Sequence, residues 1–307
     1  MVRFGAAFWM QRTGWPDLRD ACLAAEAAGF DTIWLDDHLL SDEGPWPDAK
    51  LEGWSALAAV ATVTSRARLG LLVSANTFRN PGLTAKLATT LDHVSGGRAI
   101  LGIGGAWFER EHDAFGIDFA SGVGERLDRL DESVMLMRRL LDGERFSHEG
   151  RFYTFHDALC EPRPVQAHLP ILVGGSGPKK TLRTTARYAD LWNTAGTVDE
   201  VRQRVATLDG HCRDVGRDPA AIERTISFPI VIRDDRAAAQ KAFDALLAAN
   251  RAPDVGGVPL LLGSPAAIAD ELRPYLELGF STLIARLPGP YDRETIARVG
   301  ELAAALG

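Results

Sequence analysis

Asp36-Asp37-His38 sets three titratable side chains in a row, directly after the apolar run Thr32-Ile-Trp-Leu35. A histidine at such a strand end can give or take a proton near neutral pH, and Asp37 beside it can hold a ring N–H or orient a partner. Loop histidines without any such duty occupy positions of this kind too. Further on, Gly174-Gly175-Ser176-Gly177 joins another apolar run to a helical segment, an arrangement that can present bare N–H groups and a helix N-terminus to a phosphate. The same residues also suit an ordinary tight turn, and they lack the lysine and spacing of a Walker loop. Gly104-Gly105 closes a third run and would let a ligand approach the backbone.

Other apolar runs end in Trp9, in Ser74 to Asn76, in Trp192-Asn193 and in Arg286. Glycine, aromatic and hydrogen-bonding residues prevail, a set suited to a planar, hydrogen-bonded ring carrying a phosphate tail. No metal is expected, because His93, His112, His148, His156, His168 and His211 stand at no metal-ligand spacing with His38. Glu109, Glu111 and His112 read as a solvated face or a helix cap.

Strand candidates at 3–9, 32–35, 67–74, 98–103, 170–174, 189–193, 225–232 and 281–285 alternate with amphipathic helices. The plainest helix runs from about Gly124 to Leu141, where Leu127, Leu130, Val134, Met137 and Leu141 recur at steps of three and four. Asn80-Pro81 reads as an N-cap and first-turn proline, Thr197 to Glu200 as a capping box, and 145–155 as an inserted hairpin. Eight strands in this alternation predict an α/β fold, a (β/α)8 TIM barrel with insertions at the C-terminal face, as a single domain over residues 1–307. In that fold the site lies at the C-terminal ends of the strands, which is where the residues above fall.

With 307 residues and a net charge of −7, the chain can bury a large core and shows no basic stripe for nucleic acid, so a small-molecule substrate is expected. Three scattered cysteines, Cys22, Cys160 and Cys212, fit neither a disulfide framework nor a zinc site and point to a reducing cytoplasm. No secretory signal or membrane-spanning run is read in the sequence, so no membrane partner is expected.

These residues together resemble the bacterial luciferase-like superfamily, and most closely its branch of oxidoreductases that use the deazaflavin coenzyme F420. The resemblance is carried by Phe30-Asp-Thr-Ile-Trp-Leu-Asp-Asp-His38, by 68–81, by 91–116, by Cys160-Glu-Pro-Arg-Pro-Val-Gln166, and by 170–177 with Tyr188-Ala-Asp-Leu-Trp-Asn193. It implies a cofactor lying across the barrel mouth with its ring near strands two to four. It also implies a cis peptide at Leu72-Val73, bulging against the ring, with Asp37 and His38 as the catalytic pair. The cofactor would be bound by Leu72, Val73, Asn76, Gly104, Gly105 and Trp192, its phosphate by Gly174, Gly175, Ser176 and Gly177, and Trp9 and Trp46 would wall the substrate pocket.

Two departures from the branch pattern carry expectations of their own. Ala106-Trp107 stands where sugar-phosphate dehydrogenases of the superfamily place an acidic proton acceptor, which argues against sugar-phosphate oxidation. Ala106 also replaces a glycine usual in the branch, so the ring-side loop is expected to sit differently. The implied reaction is hydride transfer between deazaflavin C5 and a small organic substrate, with the direction open. Two other readings stand beside it: an FMN-dependent two-component monooxygenase supplied by a reductase, and a flavin- or deazaflavin-binding protein without turnover. A flavin or F420 reductase and a homodimer are the associations the resemblance implies. Specificity is placed in the irregular insertions at 39–52, 107–123 and 248–262.

Overall fold

The computed structural model describes residues 2–42, 48–252 and 257–307. Eight parallel strands close on themselves: Arg3–Phe8, Thr32–Leu35, Arg68–Leu71, Ala99–Gly104, Ile171–Gly174, Leu191–Thr194, Glu223–Ile232 and Phe280–Leu287, the last pairing back to the first. These runs are mainly apolar, with polar residues chiefly towards their ends, because a barrel strand is buried on both faces, by side chains within and by helices without. The expected (β/α)8 barrel is therefore the fold.

Strand parity divides the core in two. Ala7, Trp34, Ile100, Leu172, Leu191 and Ile284 gather in one small cluster with Leu72 and Val73 against it, while their neighbours Phe8, Ile33, Leu35, Leu101, Ile171 and Val173 join the large cluster beneath the helices. Trp34 is the bulk of the smaller cluster. A side chain at Gly70 would begin 2.6 Å from the Trp34 ring, so the third strand has room for that indole only with glycine there.

Helices follow the strands largely as the pattern predicts. Asn80 caps the helix Pro81–Ser95 through its side chain, Thr197 and Glu200 form the reciprocal capping box of the helix Val198–Asp214, and the amphipathic segment is the helix Val123–Leu141. The inserted hairpin is Phe146–Glu149 paired with Thr154–Ala158.

Several boundaries differ from the sequence reading. The third strand stops at Leu71, and Ser74–Ala75 continue as a separate short strand that pairs with Ile103 and Gly104 instead. Between the two lies the Leu72-Val73 peptide, which is cis. Leu261–Gly263 forms an additional short strand beside the seventh, too brief to show a pattern of its own. The loop after strand four contains an unforeseen helix, Glu109–Phe115, and the last helical stretch is two pieces, Arg293–Ala297 and Val299–Leu306. Among the described residues, no helix is long and apolar enough to cross a membrane.

Candidate active site

A cavity of about 650 Å³ opens at the C-terminal ends of the strands, where the sequence placed the site. Trp9, Asp37, His38, Leu72, Val73, Gly104, Gly105, Gly174 to Gly177, Asn193, Ser227 and Arg286 all line it, so most of the expected site residues are brought together. Trp46 lies outside the described residues.

Val73 is the centre of one wall. A Cβ at Gly104 would stand 2.6 Å from Val73 Cγ2, and one at Gly174 would stand 2.7 Å from Val73 Cγ1. Two glycines at the ends of strands four and five thus leave the space that the valine fills, and neither position accepts a side chain without displacing it.

Asp37 supports this wall from behind. Its carboxylate, 1% exposed, accepts both ends of the Arg79 guanidinium fork at 2.7 and 3.0 Å, the Ser74 hydroxyl at 2.9 Å and the Ala75 N–H at 2.9 Å. Trp54 Nε1 donates to the same Ser74 hydroxyl at 3.1 Å. Asp37 therefore fastens the two residues that follow Val73, and its acceptor positions are occupied by protein donors.

His38 stands differently. Its ring is 16% exposed, with Nδ1 3.0 Å from Glu111 Oε1 and Nε2 3.6 Å from Asp42 Oδ2. Glu111 is 1% exposed and also accepts the Leu39 N–H at 2.9 Å. Burial opposes the imidazolium, but the Glu111 hydrogen bond and the charges of Asp42 and Asp36 outweigh it, and the His38 pKa is raised above its ordinary 6.5. The network continues inward. Lys50, 2% exposed, pairs with Asp36 and, at 2.9 Å, with Asp42. Desolvation raises the Asp36 pKa despite Lys50, whereas at Asp42 the Lys50 and His38 charges overcome burial and lower it.

The acidic cluster after strand four is thus not a solvated face. The helix Glu109–Phe115 turns Glu111 inward to His38 and buries His112 completely, with its Nδ1 2.9 Å from the Phe108 carbonyl and its Nε2 2.6 Å from Thr77 Oγ1. Only Glu109 keeps the outward position expected of all three. The i, i+1 spacing of Glu111 and His112 gave no hint that both would be buried by one short helix. Ala106 adopts φ +59°, the left-handed conformation that a glycine would favour, so the loop keeps its turn despite the alanine. Trp107 is 62% exposed and meets the His38 ring edge-on, with centroids 5.5 Å apart.

On the far wall, Gly175 and Ser176 are exposed, and the N–H groups of Ser176 and Gly177 have no partner among the described residues. The helix Thr181–Tyr188 follows at once. Trp192 is completely buried on the helix-facing side of strand six, and its indole N–H donates to the Gly175 carbonyl at 2.9 Å. It braces the loop from outside the cavity, while its neighbour Asn193 lines the cavity. Parity in the pleat decides this exchange. Asn76 is also buried behind the wall: its N–H donates to the Gly104 carbonyl at 3.0 Å, and its Nδ2 has no protein partner. Among the described residues, no group of three or more His, Cys, Asp or Glu side chains is placed to hold a metal ion.

A family model described as luciferase-like monooxygenase matches residues 3–257. The chain is 29% identical to an F420-dependent glucose-6-phosphate dehydrogenase of Microbacterium testaceum, over 97% of this chain and 95% of that one. It is 32% identical to a phthiodiolone/phenolphthiodiolone dimycocerosates ketoreductase of a Mycobacterium species, strain JLS, over 73% of this chain and 63% of that one. In fold it is similar to the F420-dependent tetrahydromethanopterin reductase of Methanopyrus kandleri, with a TM-score of 0.80, 21% identity, and 98% and 97% of the two chains covered. With a family model matched over most of its length, and relatives similar in sequence and in fold, the chain belongs to the luciferase-like monooxygenase family of oxidoreductases.

Proposed function

We propose that this protein is an F420-dependent oxidoreductase that exchanges a hydride between the deazaflavin and a small organic substrate, with His38 carrying the accompanying proton. The observation that bears most of this reading is the His38–Glu111 pair at the cavity wall. An imidazole anchored at Nδ1 by a buried carboxylate, with its pKa raised, holds its proton to higher pH than a free imidazole and can deliver it, as reduction of a carbonyl or imine requires.

The residues present suit the cofactor. The unpartnered N–H groups of Ser176 and Gly177, ahead of a helix N-terminus, would receive its phosphate. Val73, in the space left by Gly104 and Gly174, would meet the ring, and Trp9, Trp107 and Arg286 would face the substrate. When bound in its reduced form, F420 supplies the hydride from its C5 carbon, and the redox chemistry belongs to it. The protein's own part is to hold the ring, exclude water beneath Trp107 and keep a proton at His38. Asp37 acts at one remove, by fixing Ser74 and Ala75.

The similarity to F420-dependent and ketone-reducing relatives favours this cofactor over FMN. Titration of the purified protein with F420 and with FMN, followed by cofactor fluorescence, tests it. Saturable binding of F420 in preference to FMN is expected. Preference for FMN, with oxygen consumed on addition of reduced flavin, would replace the reading with a two-component monooxygenase.

A further inference from the structure

A second cavity, of about 550 Å³, lies outside the barrel on the other side of the phosphate loop. It is bounded by the helix Val123–Leu141, the turn of the hairpin, and the segment from Lys179 into the helix Thr181–Tyr188. Leu127 lines both this cavity and the mouth of the barrel, and its Cδ1 would be 3.8 Å from a Cβ at Gly177. The two spaces therefore adjoin across one leucine and one glycine. Lys179 follows Gly177 by two residues, a reach of at most about 7 Å along the chain.

The charges in this cavity are unequally committed. Asp128 pairs with Lys180 at 2.5 Å and with Arg151 at 3.4 Å. Asp131 accepts the Thr184 hydroxyl at 2.6 Å and pairs with Arg187 at 3.3 Å. Glu132 accepts the N–H groups of Phe152 and Tyr153 and lies 3.2 Å from His148 Nε2. Every acid is engaged. Lys179 and Arg183, both exposed, make no hydrogen bond or ion pair among the described residues. In a chain of net charge −7, two uncommitted cations beside a phosphate loop are a local reversal of sign.

We infer that this cavity binds a polycarboxylate extension of the cofactor beyond its phosphate, the oligoglutamyl tail that F420 carries and FMN lacks, through Lys179 and Arg183. This rests on the F420 reading above and adds to it the part of the protein that tells the two cofactors apart. A tail leaving a phosphate at Ser176 and Gly177 crosses Leu127 and meets Lys179, in the turn before the helix, and then Arg183, in the helix's first turn. Alternating carboxylates suit such a pair, and the engaged acids on the opposite wall do not compete for it.

The test measures dissociation constants by cofactor fluorescence for F420 forms bearing no, two and six glutamates, and for FMN, at low and high salt. At low salt the tailed forms bind about three- to tenfold more tightly than the tail-less form, as two exposed ion pairs allow, and salt removes the difference. K179A/R183A abolishes the tail-length dependence and leaves tail-less binding within about twofold, on the same warrant. K179E/R183E reverses the order, so that longer tails bind more weakly. Equal affinity for all tail lengths in the unaltered protein overturns the tail site but not the cofactor. Equal weakening of tailed and tail-less forms by K179A/R183A also overturns it, since that marks a general disturbance of the loop. Preference for FMN over every F420 form overturns both.

Discussion

Nδ1 of His38 lies 3.0 Å from Oε1 of Glu111, a residue 73 positions away that reaches it only because a short helix folds back over the barrel mouth. This pairing leaves the other edge of the ring, Nε2, as the one placed for proton exchange, with Asp42 at 3.6 Å. It also gives the loop after strand four a carboxylate that Ala106-Trp107 had seemed to deny it, although Glu111 is committed to His38 and to the Leu39 N–H.

Glu111→Gln replaces the carboxylate acceptor of the hydrogen bond that does most to raise the His38 pKa with a weaker, neutral one, so the His38 titration followed by NMR moves down. In the native protein the raised pKa means that His38 stabilises the fold fully below its unfolded value of about 6.5, and that this contribution disappears as pH rises through the folded value. The variant should show less of this loss between neutral and alkaline pH in denaturant titrations. Reduction rates should fall with rising pH in both proteins, with the midpoint lower in the variant. An unchanged His38 titration would break the link between the two residues. His38→Ala should lower turnover by about 10²- to 10⁴-fold.

Asp37 and Arg79 form a buried, forked ion pair, with side chains 1% and 13% exposed. Asp37→Ala should cost about 3–5 kcal/mol, because it leaves the guanidinium with Glu52 alone, at 2.9 Å, and releases the Ser74 and Ala75 donors together. The double variant with Arg79→Ala should cost less than the sum of the two singles. Chemical denaturation measures both, and full additivity would show that the pair is not the unit argued here.

Gly104→Ala should destabilise the protein by about 1–3 kcal/mol, since its Cβ would meet Val73 Cγ2. Val73→Ala in the same chain should recover much of that loss. Thermal melts of the two singles and the double give the coupling, and an absence of coupling would mean that Gly104 is needed for another reason.

Trp192→Phe keeps an aromatic ring at the position but removes the hydrogen bond to the Gly175 carbonyl and leaves a small cavity where the rest of the indole was buried. The two losses together should cost about 2–3 kcal/mol in global stability. Affinity for the phosphate end of the cofactor should fall by several-fold, read with the tail-less F420 form so that the outer cavity does not contribute. Unaltered affinity would show that the loop holds its shape without the indole.

The barrel was legible in the sequence because each strand is an apolar run and each helix carries its own periodicity and caps, signals that are local. The rule that strand ends carry the site then placed His38, Gly104-Gly105 and Gly174 to Gly177 without knowledge of any contact. The cis Leu72-Val73 peptide came from resemblance alone, since nothing in the propensities of Leu72 or Val73 marks it. Glu111 and His112 read as a solvated face or a helix cap in the sequence, because burial of charged and titratable residues is set by where a seven-residue helix docks, which no local pattern records. Trp192 and Asn193 were placed at the right strand end, but which of them faces the cavity depended on the register of that strand.

By itself, then, the sequence determined the repeating βα architecture, the edge at which chemistry gathers, and the residue types offered there, because helices, strands and tight turns are specified by neighbours along the chain. The tertiary structure alone decided which carboxylate serves His38, which one fastens the Val73 wall, and which cations stay uncommitted beyond the phosphate loop. Those are questions of distance between residues tens of positions apart, and only closure of the barrel and docking of its insertions sets such distances.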